Sequence, residues 1–128
     1  ELQVRQGTDQ KGNCFMKYRV HVVRDAEEDM LDIWKYVVLS GSPGNAENLL
    51  DEFERAITSL ENMPERGHIP PELRRVNVHA YREIHVKVYR IIYQITGADI
   101  FVHCILDGRR DIQDLLQERL LRTPRLSG

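Results

Sequence analysis

The sequence predicts an α+β fold: an antiparallel sheet of about four strands packed against an N-terminal helical hairpin, with a short C-terminal helix. Three observations carry this expectation. Residues 26–60 hold two apolar stripes at helical spacing, separated by Ser40-Gly41-Ser42-Pro43. Residues 81–107 hold runs rich in Ile, Val and Tyr, broken by Thr96-Gly97-Ala98-Asp99, the pattern of a β-meander. A separate alternating run, residues 17–23, precedes the first helix. The chain has 128 residues, of which 41% are hydrophobic, so one domain of 16–122 with a true core is expected.

The elements follow in order. Residues 1–15 show no periodicity and read as a disordered or non-native leader ahead of Met16. In the first strand Tyr18, Val20 and Val22 alternate with Arg19, His21 and Val23. Asp25, with Glu28 three residues on, resembles a capping box, and Glu27, Glu28 and Asp29 suit the positive end of a helix dipole. Ala26, Met30, Ile33, Trp34, Val37 and Val38 form the stripe of this helix over 26–39. Pro43 is preset for the first turn of the next helix, whose stripe runs through Ala46, Leu49, Leu50, Phe53, Ile57 and Leu60. A link this short makes an antiparallel helical pair.

Residues 64–73, PERGHIPPEL, read as a stiff loop, a strap over the domain rather than a lid. Residues 74–78 read as a possible strand start. From Glu83 the strand signal is strong, but it contains no turn residue before Ile95. Periodicity allows one long strand or two strands with a tight reversal near Lys87. Ile100–Leu106 is nearly all apolar, which suits a central strand. Asp107-Gly108 breaks it, and Asp111 caps a final helix with Ile112, Leu115, Leu116 and Leu120 on one stripe. Residues 123–128 read as a loose tail. Trp34, Leu50, Phe53, Ile57, Ile92, Val102 and Ile105 are expected in the core.

Charge and composition bound the function. The net charge of −2 hides a split. Residues 1–73 hold 8 Lys/Arg against 14 Asp/Glu, a net of −6; residues 74–128 hold 10 against 6, a net of +4. An acidic partner or a polyanion therefore suits the sheet half. Cys14 and Cys104 share no ligand spacing, so neither a metal nor a disulfide is expected, and no cofactor motif is present. No apolar run reaches the roughly 18 residues that span a bilayer. No secretory pattern opens the chain. The expectation is a cytoplasmic protein with no membrane partner.

The order of strand, helical hairpin, Pro64-Glu65-Arg66-Gly67, Tyr89-Arg90-Ile91-Ile92-Tyr93 and Gly108-Arg109-Arg110-Asp111 resembles the RelE/ParE superfamily of bacterial type II toxin–antitoxin toxins. The likeness runs from Tyr18 to about Leu121. It implies a growth-inhibiting toxin silenced by a cognate antitoxin, with assembly into homo- or hetero-oligomers left open. RelE-like members cleave mRNA in the ribosomal A site; ParE-like members poison DNA gyrase. The fold alone does not separate them.

Residue by residue, the resemblance puts Arg90 and Arg110 where RelE-like toxins carry arginines that stabilise a charged transition state. The paired lysines of those toxins are replaced by Arg82-Glu83-Ile84-His85, and the late catalytic Tyr falls near Leu116. His85, or His79, then stands as the substitute acid–base group. These departures favour the ParE-like branch, with gyrase as target. A toxin that has lost its activity and kept only binding is a further alternative. On the ParE-like reading, Arg82, Lys87, Arg90, Arg109 and Arg110 face the antitoxin or the target from one open side of the sheet. The plain alternative is that Arg90 pairs with Glu83 or Asp111 across the sheet.

Overall fold

The computed structural model describes residues 17–108 together with Ile112, Asp114, Leu115, Glu118 and Arg119. The leader, the tail and residues 109–111 lie outside the described residues, and with them the expectations for Arg109, Arg110 and the Asp111 cap. Seven elements follow in order: β1 (Arg19–Val22), α1 (Arg24–Leu39), α2 (Pro43–Ser59), α3 (Pro71–Arg75), β2 (Tyr81–Val86), β3 (Tyr89–Thr96) and β4 (Asp99–Asp107). Ile112, Asp114, Leu115, Glu118 and Arg119 are helical. Among the described residues, no helix is long and apolar enough to cross a membrane.

The α+β class, the four strands and the hairpin on one face agree with the sequence. The sheet order is β1-β4-β3-β2. Two-residue links, Lys87-Val88 and Gly97-Ala98, make β2, β3 and β4 antiparallel. The expectation of a wholly antiparallel sheet is corrected at β1, which pairs with β4 in parallel, Val20 opposite Ile100 and Val22 opposite Val102. No turn joins these two strands. The helical pair and the meander lie between them, so turn geometry does not dictate their direction. β4 is internal, as its apolar run requires.

Both faces of the sheet are covered. On one, the α1–α2 pair meets Val20, Val22, Ile84, Val86, Ile91, Tyr93, Ile100, Val102 and Ile105 through Ala26, Leu49, Phe53 and Ile57. On the other, Leu73 of α3, Ile112 and Leu115 pack on Tyr81, Ile92, Cys104 and Leu106. Of the expected core, Phe53, Ile57, Ile92, Val102 and Ile105 are buried. Trp34 and Leu50 are only half-buried, because the stripes of α1 and α2 are wider than the surface they cover.

Three local expectations change. Asp25 does not cap α1. Val23 holds the N-cap position in extended backbone and accepts the Glu27 N–H at 3.0 Å, leaving Asp25 inside the first turn. Residues 71–75 are helical rather than loop and strand start. Pro71 supplies the first turn, and Asn77, at φ 64°, turns the chain away afterwards. The stretch between Glu83 and Ile95 is two strands, reversed at Lys87, which takes the left-handed φ of 54°.

Where β1 ends, the edge of β4 needs other partners. The Asp29 carboxylate of α1 accepts the Ile105 N–H at 2.9 Å and two hydrogen bonds from Arg119, at 2.9 and 3.2 Å. Arg119 in turn donates to the His103 carbonyl at 3.2 Å. Helix α1, strand β4 and the C-terminal helical segment are thus joined through one carboxylate. Asp29→Ala leaves a backbone N–H and a guanidinium short of a partner, and is expected to cost about 1–3 kcal/mol in urea unfolding. Asp29→Asn, which keeps an acceptor for Ile105, is expected to cost less.

Candidate functional site

The site begins at the edge of the sheet. β2 has β3 on one side only, and the Pro64–Gly67 segment closes the other. Gly67 donates its N–H to the Tyr93 hydroxyl at 3.1 Å, and that hydroxyl donates to the Pro64 carbonyl at 2.7 Å. A Cβ at Gly67 would stand 2.5 Å from the Glu83 carbonyl oxygen and 2.8 Å from the Tyr93 hydroxyl, so only glycine fits. The next residue, His68, pairs with Glu83 as an isolated antiparallel bridge, with N–H···O distances of 2.7 and 3.1 Å. The segment is a strap, and it delivers the His68 ring beside the Glu83 side chain. Burial raises the Tyr93 phenol above its ordinary pKa, which keeps it a neutral donor.

Strand parity then gathers the polar groups. Glu83 and His85 share a face of β2, and Arg90 lies opposite His85 on β3. Glu83 is 2% exposed and Arg90 7%. Arg90 Nε donates to Glu83 Oε1 at 2.6 Å, and its two terminal nitrogens donate to Glu72 of α3 at 2.9 and 2.8 Å. His68 Nε2 lies 2.8 Å from Glu83 Oε2, and His85 Nε2 lies 3.6 Å from the same oxygen. The two imidazoles meet edge to face, 5.4 Å between centroids. The result is a chain of charge, Glu72–Arg90–Glu83–His68, with His85 at its end. It lines an open cleft of about 580 Å³ that Arg75, Lys87, Tyr89 and Gly108 complete.

The hydrogen bond to Glu72, followed by those to Glu83, raises the Arg90 pKa above its ordinary value, so the guanidinium is permanently charged. The same bond holds the Glu72 carboxyl below the usual carboxylate range.

Of the residues singled out by sequence, Arg90, His85 and Lys87 share this cleft. Arg82 does not: it lies on the opposite face, opposite Tyr93, and donates to the Gly67 carbonyl at 2.7 Å. The open row of guanidinium groups expected from the sequence is therefore corrected for Arg82 and Arg90. A two-residue reversal exchanges parity, so even-numbered residues of β2 share a face with odd-numbered residues of β3. Both side chains also hold internal partners. The pairing of Arg90 with Glu83 was legible; its pairing with Glu72 was not. His79 is exposed, outside the cleft lining. Sequence reasoning missed His68, Glu72 and Arg75. Glu83-x-His85 was the one available signal, since that spacing puts both side chains on one face.

A second cleft, of about 540 Å³, lies between α2 and the β2–β3 turn, lined by Val37, Leu49, Glu52, Arg55, Val88 and Tyr89 among others. Tyr36, Leu39 and Val88 are exposed large apolar side chains, at 69%, 86% and 64%.

The family described as the ParE toxin of the type II toxin–antitoxin system, parDE, matches residues 20–112. The chain belongs to the ParE toxin family. Two of the solved structures that share its fold illustrate the likeness. One is a chain of the chromosomal ParDE toxin–antitoxin system from P. aeruginosa, with a TM-score of 0.59 at 17% identity, over 73% of this chain and 96% of that one. The other is a chain of the RelBE2 toxin–antitoxin complex from Mycobacterium tuberculosis, with a TM-score of 0.50 at 16% identity, over 72% of this chain and 92% of that one. No curated protein sequence matches the chain. ParE membership makes this a toxin-type domain of a type II toxin–antitoxin system.

The depressed Glu72 carboxyl has a pH consequence. A group whose folded pKa lies below its unfolded one stabilises the fold above the unfolded pKa, about 4.3 for Glu, and loses that contribution as pH falls through the folded value. The difference in urea-unfolding free energy between the wild type and Glu72→Gln is expected to be constant from pH 7 to about 5. It should then shrink at lower pH. A difference that grows toward acid would contradict the Arg90–Glu72 pairing.

Proposed function

We propose that this chain is a growth-inhibiting toxin that acts on DNA gyrase by protein contact and is held silent by a cognate antitoxin. Membership of the ParE family over residues 20–112 carries the reading. The engagement of Arg90 supports it. A guanidinium held by two carboxylates has its donors spent on the fold, whereas cleavage of RNA needs such a group aimed at the phosphate.

For the antitoxin, the cleft between α2 and the β2–β3 turn is the better seat than the one that holds the charge cluster. Val88 at its rim, with Tyr36 and Leu39 exposed on α1, offers anchors for the apolar side of a helical or extended tail. The cleft carries both signs of charge, Arg55 and Lys87 beside Asp51 and Glu52, with Lys87 3.6 Å from Glu52, so acidic residues of that tail meet Arg55 first, while Arg82 and Arg90 hold the domain together. Arg109 and Arg110 remain candidate contacts for the antitoxin or the target.

One observation favours a second reading, a ribosome-dependent mRNA endonuclease. His68 and His85 stand together in a cleft with Arg75 and Lys87, a pair of acid–base groups beside cations. Two assays separate these readings, and growth separates both from a binding module without activity. Purified toxin is expected to inhibit gyrase supercoiling; unchanged supercoiling at excess toxin overturns the gyrase reading. Primer extension after induction is expected to show no codon-linked cuts. Cuts that vanish on His85→Ala, or on Arg90→Ala and Arg110→Ala, would establish the endonuclease instead. Unaffected growth without antitoxin would leave only the binding module.

A further inference from the structure

We propose that His68, Glu83 and His85 form a three-ligand site for a zinc-type transition-metal dication, with a fourth position open to the cleft. His68 Nε2, Glu83 Oε2 and His85 Nε2 lie within 4.8 Å of one another. Around a tetrahedral Zn²⁺ with bonds of about 2.0–2.2 Å, ligand atoms are about 3.3–3.6 Å apart. The two distances to Glu83 Oε2, 2.8 Å from His68 and 3.6 Å from His85, bracket that spacing. Small rotations of the imidazoles suffice to bring all three donors onto one ion. Those rotations are available, because the side chains of His68 and His85 are 56% and 55% exposed.

The backbone fixes the donors more firmly than exposed side chains fix themselves. Glu83 and His85 are two apart on one strand face, and His68 is bound to Glu83 through both of its own backbone groups. Arg90 takes Glu83 Oε1, which leaves Oε2 turned toward the imidazoles. A hydrogen bond that orients a ligating carboxylate in this way is the usual outer support of a metal site.

Charge and donor chemistry agree. The donor set carries the carboxylate of Glu83, whose charge Arg90 shares with Glu72, so the ion meets one anionic and two neutral ligands. Two nitrogens and one oxygen suit Zn²⁺ and its neighbours, and do not suit Ca²⁺ or Mg²⁺, which require more oxygen ligands. On binding, the ion takes the place between His68 Nε2 and Glu83 Oε2, and the neutral His68 ring holds its one proton on Nδ1. This site departs from the cysteine-based expectation of no metal, because none of its ligands is a cysteine. It does not depend on the gyrase reading.

The test is titration of the full chain, stripped with chelator, with Zn²⁺ by calorimetry and with Co²⁺ by visible absorption. One Zn²⁺ per chain is expected, and Co²⁺ should give the intense bands of a four-coordinate site. His68→Ala and His85→Ala should each weaken binding at least 10-fold, and the double variant should abolish the Co²⁺ bands. His79→Ala and Cys14→Ser should leave both signals unchanged. Circular dichroism of the exposed-histidine variants checks that they fold. Absence of saturable Zn²⁺ binding by the wild type at 100 µM overturns the proposal, and so does wild-type affinity in the double variant.

Discussion

A glutamate that is 2% exposed in the middle of an edge strand is costly unless every oxygen is answered, and much of this molecule is arranged around answering Glu83. Arg90 comes from the neighbouring strand to one oxygen, and His68 comes from the strap to the other. Arg90 still has its two terminal nitrogens to place, and Glu72 of α3 accepts from both. Each partner lies on a different element, and the buried charge thereby fixes where the strap, α3 and the β2–β3 hairpin sit relative to one another. Replacing a buried ion pair by well-packed apolar residues is often neutral or stabilising, by roughly 1–4 kcal/mol, so stability alone does not account for the ions. They impose position, and they leave a carboxylate oxygen directed at two imidazoles on the wall of a cleft.

The same logic of satisfied edges runs through the fold. β2 would present bare backbone groups to solvent, and the His68 bridge takes those of Glu83. β4 outruns β1 after Val102, and Asp29 and Arg119 take over its ladder. β1 is itself tied in at both ends, Arg19 N–H to the Ala98 carbonyl and Val23 N–H to the Val102 carbonyl. Side chains and a strap do here what further strands would do in a larger sheet. This is how so small a sheet keeps its edges closed.

What the sequence revealed follows from the range of the forces involved. The α1–α2 pair was legible because 3.6-residue periodicity and Gly41, at φ 91°, are local signals. The final strand was legible because nearly every residue in it is apolar. The reversal at Lys87 was not resolved, because a lysine with positive φ leaves no mark in composition. That single ambiguity spread: read as one strand, Arg82 and Arg90 share a face, whereas the hairpin sends them to opposite faces. α3 escaped because five residues between prolines and Asn77 carry too little periodicity to measure. His68 and Glu72 escaped for a different reason. Their contacts with Glu83 and Arg90 cross 15 and 18 residues of chain, and nothing in either residue's neighbourhood announces the partner.

The β2–β3 turn connects the two clefts. Lys87, Val88 and Tyr89 line both of them, the one on the α3 side and the one against α2. An occupant of either cleft therefore meets the same three residues. The connection is steric before it is anything else: a partner segment that draws Val88 and Tyr89 toward α2 moves the wall of the cleft in which His68, Glu83 and His85 converge. The ladder runs directly from Val86–Tyr89 at the turn to His85–Arg90 at the cluster, so the displacement has a short path to follow. The two clefts thus lie on opposite sides of one two-residue turn, and a partner seated as proposed above would share that turn with the charge cluster.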